Sequence, residues 1–513
     1  MDKTSRPALM LVGGRSVGLA ASFAIGIVLA RLFDPAVFGI YKQFFLVYAT
    51  LYGVLQLGMA ESLYYFVPRA PERTGRYAAN AIATLLAIGG LCTVVLYLLR
   101  TAIAGWLTEE LASYILPLGA FLTFMLASTV LEIVMVSRKQ HLKAAVTYAI
   151  SDFVRTALFL APALFFLSLR AVFIGGAVFA GLRLAATVAV VWRQWGREFR
   201  VDGALLREQL AYAVPFALAV GVEVVLINYH QYVVASSFDA ATFAIYAIGC
   251  MQIPLYDLIV SSTVNVLMVR MANAPRNREA LALWHDTVAR LAFLIFPLTV
   301  LLVASASDLI IGLFTATYAG SVPIFVVWVL TMLPAVMAVD AVLRVYAQTR
   351  FLLIMNVVRF ACVAGLITAF MSSFGLTGAV LVTLVAMIIT KVLGAARIAA
   401  LLGVGIREAL PWRRLGVMAA VALIALLPLR WLQVSVDWPP LVRFIAGAGV
   451  YAATYAGLTF LGSLVLRSSG AWVPVHRFTG SGVHASFSGA PVNQNPSTEA
   501  PEHLRTITVS KAV

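Results

Sequence analysis

The chain has 513 residues, of which 62% are hydrophobic and only 12% are charged, and its mean hydropathy is +0.95. This excludes a water-soluble globular protein, because a soluble core has no use for so much apolar surface. A formal net charge of +15 would indicate nucleic-acid binding in a soluble protein. Here the basic residues lie in short segments between apolar runs, so they indicate membrane topology and no nucleic-acid partner.

The predicted elements are about fourteen membrane-spanning helices, because the apolar runs have the length of roughly 20 residues that crosses the hydrocarbon core. In chain order they are predicted at residues 9–30, 38–66, 78–99, 112–136, 144–168, 171–192, 211–235, 241–269, 287–313, 322–346, 351–371, 376–401, 412–432 and 441–466. The predicted fold class is therefore an all-α polytopic membrane protein.

An internal repeat organises these helices. The segment FDPAVFGIY at residues 33–41 returns as FDAATFAIY at residues 238–246, with six identical residues. Six predicted spans separate the copies, so both lie on the same side of the membrane and the two halves are parallel repeats. We expect an N-terminal six-helix lobe at 9–193 and a C-terminal six-helix lobe at 207–402.

Two additional helices and a tail follow the two lobes. The helices are predicted at residues 411–466, and they have no partner in the repeat. Residues 467–513 are rich in Ser, Gly, Pro and Thr and are predicted to form a disordered cytoplasmic tail. Basic residues are concentrated on one side of the membrane, as at Arg69, Arg73 and Arg76, which predicts that both termini are cytoplasmic.

No sequence motif points to catalysis or to a cofactor. The three cysteines, Cys92, Cys250 and Cys362, fall in separate spans and suggest neither a disulfide framework nor a zinc site. A nucleotide-binding loop, a metal-spaced histidine pair and a nucleophile elbow are all missing from the sequence. We therefore expect a protein that is not an enzyme, without cofactor or metal.

The region around the first repeat copy resembles a known family. The run LARLFDPAVFGIY at residues 29–41, followed by Leu57-Gly58 and by SLYYFVPR at residues 62–69, is similar to bacterial polysaccharide repeat-unit flippases. These are the Wzx-like branch of the multidrug/oligosaccharidyl-lipid/polysaccharide exporter superfamily. The likeness is at the level of motifs over residues 9–69, and it is compatible in span count over residues 9–466. The matching Asp34, Pro35 and Gly39 form a turn signature and carry no substrate chemistry.

This resemblance implies a fold and a function. It implies two six-helix lobes around a central cavity, and alternating access that moves an undecaprenyl-diphosphate-linked oligosaccharide from the cytoplasmic to the periplasmic leaflet. The location would be the bacterial inner membrane, and the product would serve exopolysaccharide or O-antigen synthesis. The expected partners are this substrate, membrane lipids, and polysaccharide polymerase and chain-length proteins. We expect a monomer, since each chain already contains both lobes.

Cations inside predicted spans are the candidate ligands for a diphosphate. A charged side chain at the bilayer centre costs about 2.5 to 3.5 kcal/mol on insertion scales, so those present should face a cavity or one another. We predict that Arg15, Lys42, Arg359 and Lys391 bind the diphosphate. For Arg15 the alternative is snorkelling towards the interface or an interhelical ion pair, and for Lys42 it is snorkelling.

Acidic and polar residues at similar depths are candidates for other roles. Glu223 and Asp257 are predicted to balance the cavity charge or to take up a coupling ion. Asn228, Tyr229 and His230 are predicted to contact the sugar, and a polar patch satisfied between helices is the alternative.

Charges that neutralise each other within a span are expected to be structural. Asp152 and Arg155 are three residues apart on one predicted helix, so they are predicted to form such a pair.

Two other functions remain open at the level of sequence. A multidrug or small-molecule exporter of the same superfamily is disfavoured because its members usually have twelve spans and because the first span here has no carboxylate. A membrane-embedded polysaccharide polymerase is disfavoured because every predicted external loop is short.

Overall fold

The computed structural model of the protein describes residue 21, residues 23–273 and residues 277–468, without the side chains of residues 215, 216, 218, 219 and 463–468. This part of the chain is built from helices and contains no strand. The all-α prediction is therefore confirmed. The predicted ligand Arg15 and the predicted tail from residue 469 onwards lie outside the described residues.

The helices of the first half follow one another with short connections. They are α1 Phe23–Leu32, α2 Pro35–Leu55, α3 Met59–Arg69, α4 Thr74–Leu98, α5 Arg100–Trp106, α6 Glu109–Ser113, α7 Ile115–Ser128, α8 Val130–Ser137, α9 His141–Phe166 and α10 Leu169–Trp195.

The second half and the helices after it continue in the same manner. They are α11 Gly203–Ser237, α12 Ala240–Gly249, α13 Pro254–Ala272, α14 Asn277–Ala304, α15 Ala306–Phe314, α16 Ser321–Leu330, α17 Met332–Ala335, α18 Val339–Val345, α19 Thr349–Phe374, α20 Leu376–Leu402, α21 Trp412–Ile424, α22 Leu426–Ser435 and α23 Pro440–Ser468.

Twelve helical segments of the described chain are long and apolar enough to cross a membrane. The predicted first span continues into the short apolar helix α1, and the predicted seventh span coincides with α11, which is 35 residues long. The predicted eighth span is divided between α12 and α13. In the described part of the chain, helical structure lies at the positions of the second to fourteenth predicted spans, and α1 lies at the end of the first. The protein is a multi-pass membrane protein.

Several spans are interrupted by breaks that the sequence did not predict. Leu57 and Gly58 have φ values of 44° and 65°, and they separate α2 from α3. Ala338 has a φ of 48°, and it separates α17 from α18. A residue with a side chain is rare in this left-handed region, so the surrounding packing must impose it. Each break places a new helix start within a span.

The two copies of the repeated segment pack against each other. α2, which begins in the first copy, lies against α12, which begins in the second, and against α11. A Cβ atom added to Gly39 would lie only 1.8 Å from the carbonyl oxygen of Ala240. The glycine therefore permits a close backbone approach between the halves. The lobe boundaries at 9–193 and 207–402 stay predictions.

The segment that connects the halves is fixed to the start of α4. The Asn80 side chain donates to the carbonyl oxygen of Asp202 at 3.1 Å and accepts from the amide of Asp202 at 2.8 Å. Arg76 pairs with Glu198 at 2.7 Å. Hydrogen bonds from the amide of Leu205, then from Arg76 and the amide of Ala204, hold the pKa of the Asp202 carboxyl below its usual value. The connection is thus hydrogen-bonded to the first half.

The last helices are attached to α14 and α15. Arg443 in α23 pairs with Asp308 in α15 at 2.5 Å, and Gln433 in α22 donates to the same carboxylate at 3.2 Å. The Tyr455 hydroxyl donates to the carbonyl oxygen of Phe293 in α14 at 3.0 Å. α21 also packs along α14. The two additional spans therefore form a wall on the second half.

Candidate functional site

A polar cavity of about 450 Å³ lies among helices of the second half. We call it the charged cavity. Its ionisable lining residues are Glu223, Asp340, Arg344, Arg359 and Lys391, and its other polar lining residues are Tyr256, Ser261, Asn265, Asn356 and Thr390. Helices α11, α13, α18, α19 and α20 supply these side chains.

Local structure explains how the charges converge. The left-handed Ala338 starts a new helix, so Asp340 lies in the first turn of α18 and Arg344 lies one turn later on the same face. Arg359 and Lys391 belong to α19 and α20, which pack along each other. Arg344 lies near the end of α18, close to the loop that begins α19. The cavity therefore lies towards the membrane face that the basic loops predict to be cytoplasmic.

The cations of the cavity differ in their pairing. The Lys391 ammonium donates to a carboxylate oxygen of Asp340 in an ion pair, and the lysine is buried. For Arg344 and Arg359, no described carboxylate lies within 4.0 Å of the guanidinium. Asp340 and Glu223 are nevertheless close enough to interact electrostatically with Arg359. The cavity thus holds two guanidinium groups whose hydrogen bonds are open to a ligand.

An apolar groove of about 570 Å³ adjoins this cavity. It lies between α14, α16, α17 and α20 on one side and α21 and α22 on the other. Representative lining residues are Phe296, Leu333, Ile388, Val392, Leu415 and Leu423. Lys391 lines both the groove and the charged cavity. One buried cation therefore stands where an apolar space meets a polar one.

A sequence profile of the family described as "Polysaccharide biosynthesis protein" matches residues 28–323. The chain belongs to this family. Among curated protein sequences, none matches it.

Solved structures show that the chain shares its fold with a flippase and with transporters. The inward closed conformation of the lipid II flippase MurJ matches with a TM-score of 0.67 and 15% identity, over 88% of this chain and 99% of that one. An inward-facing multidrug resistance MATE family transporter of the MOP superfamily matches with a TM-score of 0.59 and 15% identity, over 76% and 98%. A MOP superfamily transporter from Pyrococcus furiosus matches with a TM-score of 0.54 and 14% identity, over 78% and 95%.

The resemblance seen in the sequence is thus confirmed at the level of family and fold. At identities near 15%, these structures show the architecture and leave the substrate open. The function therefore depends on the chemistry of the chain's own site.

The structure brings some predicted site residues together and leaves others apart. Arg359, Lys391 and Glu223 all line the charged cavity. Asp257 is exposed beside Tyr256 and is not part of the lining. Lys42 lies in α2 on the first half, with its ammonium 5.2 Å from the centre of the Phe38 ring. The roles predicted for Asp257, Lys42 and Arg15 stay predictions.

The predicted sugar contacts lie outside both spaces. Asn228 donates to the carbonyl oxygen of Val224 at 3.0 Å, and Tyr229 meets the ring of Phe360 edge-on at 5.2 Å. The His230 ring is buried and hydrogen-bonded to the Tyr246 hydroxyl at 2.6 Å. In the described part of the chain, none of the three lines the charged cavity or the groove. Sugar contact stays a prediction for them.

One structural pair was predicted, and one cavity residue was missed. Asp152 and Arg155 form the expected ion pair at 2.7 Å, so that prediction is confirmed. Arg344 was not predicted to be a site residue. The signal was present in the sequence, because Arg344 follows the acid Asp340 by four residues, which is about one helical turn.

Proposed function

We propose that this protein flips an undecaprenyl-diphosphate-linked oligosaccharide from the cytoplasmic to the periplasmic leaflet of a bacterial inner membrane. The observation that carries the proposal is the position of Lys391, on the wall of the charged cavity and on the wall of the apolar groove. A lipid diphosphate combines the same two kinds of surface, because its doubly charged headgroup is joined directly to a hydrocarbon tail. Family membership adds the context of polysaccharide biosynthesis.

The charges of the cavity suit a diphosphate. Arg344 and Arg359 can each present a planar fork of donors to phosphate oxygens, and Lys391 adds an ammonium group. One pair of unit charges near 4 Å contributes about 4 kcal/mol at an effective dielectric constant of 20. Two such pairs would offset much of the cost of bringing the headgroup out of water. The same three cations also disfavour the alternative of an exporter of cationic drugs.

The orientation suits an outward step. The charged cavity lies towards the face that we predict to be cytoplasmic, where a lipid-linked precursor from the inner leaflet would enter. An anion that moves outward across an inside-negative membrane gains roughly 2.3 kcal/mol per charge per 100 mV when its charge crosses the field. We propose alternating access of a monomer, driven by this potential or by an ion bound at Glu223. Polymerase and chain-length proteins would then use the product.

The test is export in cells whose own copy of the gene is deleted. Arg359→Gln removes a guanidinium from the cavity, and the loss of a charged hydrogen bond of about 1.5 to 3 kcal/mol predicts a fall in export of about tenfold or more. Arg397→Gln is the matched control, since Arg397 lies on α20 but outside both spaces. Surface polysaccharide and inner-face lipid-linked intermediates are measured. Full export by Arg359→Gln at normal protein levels would contradict the proposal, and drug resistance conferred by the wild type would favour the exporter.

A further inference from the structure

Two ion pairs occupy equivalent places in the two halves. In the first half, Arg183 donates to Glu132 at 2.6 Å, and in the second half Lys391 donates to Asp340. The partners of each pair are 51 residues apart in sequence. Glu132 lies in the first turn of α8 and Asp340 in the first turn of α18, and both of these helices pack on the helix that carries the cation. The internal repeat has therefore duplicated one ion pair.

The two copies differ in their access to water. In the first half the Glu132 side chain is 2% exposed and the Arg183 side chain is 15% exposed. In the second half Lys391 is 10% exposed, but Asp340 is 48% exposed and lines the charged cavity. The first pair is thus sealed between helices. The second pair has a buried cation and a carboxylate that opens on the space a ligand would enter.

The residue types also differ between the buried first pair and the open second pair. Glu132 faces an arginine, whose planar fork favours a fixed geometry. Asp340 is one methylene shorter and faces a lysine, whose ammonium has three donors on a flexible stem. Such an ammonium can change partners with little rearrangement. The sealed pair suits a structural role, whereas the open pair suits exchange.

We infer that Asp340 is an exchangeable counter-ion, which holds Lys391 while the cavity is empty and yields it to a phosphate group of the substrate. This inference rests on the proposed function and names a specificity-determining residue for it. A buried ammonium without an anion is costly, so Asp340 keeps the empty cavity stable. When a diphosphate takes over Lys391, Asp340 stays hydrated in the open cavity.

The same exchange sets which ligands bind and how they leave. A ligand has to replace the Asp340 carboxylate at Lys391. A singly charged anion therefore gains little binding free energy, and a doubly charged diphosphate gains more. On release, Asp340 returns to Lys391, and no buried cation is left unpaired. A transported ligand must bind well enough to enter but weakly enough to leave, as in ion conduction. Asp340 therefore tunes affinity downwards in favour of turnover.

The test measures binding of inorganic pyrophosphate to the purified full-length protein in nanodiscs by calorimetry. Asp340→Asn frees Lys391 and is expected to tighten binding about tenfold, the effect of one charged hydrogen bond. Lys391→Gln should weaken binding, and in that background Asp340→Asn should no longer tighten binding tenfold, because the coupling between the two residues is lost. Asp340→Glu keeps a carboxylate beside Lys391, so it should not tighten binding as Asp340→Asn does. Asp152→Asn, in a pair outside the cavity, is the matched control and should also leave binding unchanged.

The outcomes separate this inference from the proposed function. If the wild type binds pyrophosphate and Asp340→Asn binds no more tightly, the exchange is overturned and the flippase proposal stands. If neither the wild type nor any variant binds pyrophosphate, both are overturned. Should Asp340→Asn fail to fold, Asp340→Ser takes its place with the same expectation. Export in cells gives a second readout: Asp340→Asn should lower export although it binds more tightly, and undiminished export would contradict the role of Asp340 in release.

Discussion

The close approach of the two repeat copies makes Gly39 a sensitive position. In Gly39→Ala the new Cβ would lie 1.8 Å from the carbonyl oxygen of Ala240, whereas ordinary contact begins at 3.4 Å, so the two backbones must separate by about 1.6 Å. Backbone atoms cannot rotate away as a side chain can. Overpacking of this kind costs about 1 to 3 kcal/mol. Alanine returns up to about 1 kcal/mol of helix propensity, which leaves a net loss of up to about 2 kcal/mol.

The assay is thermal unfolding of the purified protein in one detergent, compared between wild type and variants. Gly90→Ala is the matched control, since Gly90 is also inside a helix and has nothing within 4 Å of its added Cβ. We expect Gly90→Ala to unfold at the wild-type temperature or slightly above it, and Gly39→Ala to unfold below both. Equal unfolding temperatures for the two alanine variants would refute the close contact between the repeat copies.

Three further predictions use the same unfolding assay. Arg31→Ala removes two hydrogen bonds, of 2.5 and 2.7 Å, to carbonyl oxygens at the end of α15. Because these hydrogen bonds are partly exposed, their loss should lower the free energy of unfolding by about 1 kcal/mol. An unchanged unfolding temperature would contradict a role of Arg31 in joining the halves. Glu132→Gln should lower the free energy of unfolding by about 3 to 5 kcal/mol, because it leaves Arg183 buried without its charged partner. Replacing both Glu132 and Arg183 by leucine should restore most of the stability. A double-leucine variant as unstable as Glu132→Gln would contradict this reasoning. Asn80→Ala should cost about 2 to 3 kcal/mol because the backbone of Asp202 loses two hydrogen bonds, and a wild-type unfolding temperature would show that the connection is held by other contacts.

The spans were predictable because their signal is local. A run of about 20 apolar residues has few alternatives to a membrane helix, since every backbone group must be satisfied within the segment. The breaks at Leu57 and Ala338 were not predictable. Neither residue favours a left-handed conformation, and the packing around it decides the backbone angle. The repeat predicted that the halves correspond, but the contact of Gly39 with Ala240 depends on tertiary structure.

The candidate site was predictable in part. Burial cost singled out Arg359 and Lys391, and both line the charged cavity. The same argument selected Lys42, but this residue lies on the first half beside Phe38. The cost of burying a charge does not tell which cavity the charge will face. The equal spacing of 51 residues from Glu132 to Arg183 and from Asp340 to Lys391 was overlooked. That spacing would have predicted both ion pairs.

The attachment of the last helices has a consequence for the hydrocarbon part of a passenger. Asp308 holds Arg443 and Gln433, and Tyr455 reaches back to α14, so this outer wall is tied to its support at more than one point. In the alternating access that we propose, a wall tied in this way would not slide, and the apolar groove beside it would keep its width while the second half moves. A prenyl chain bound in the groove would then move together with the second half and would not have to return to the bilayer during each transport cycle.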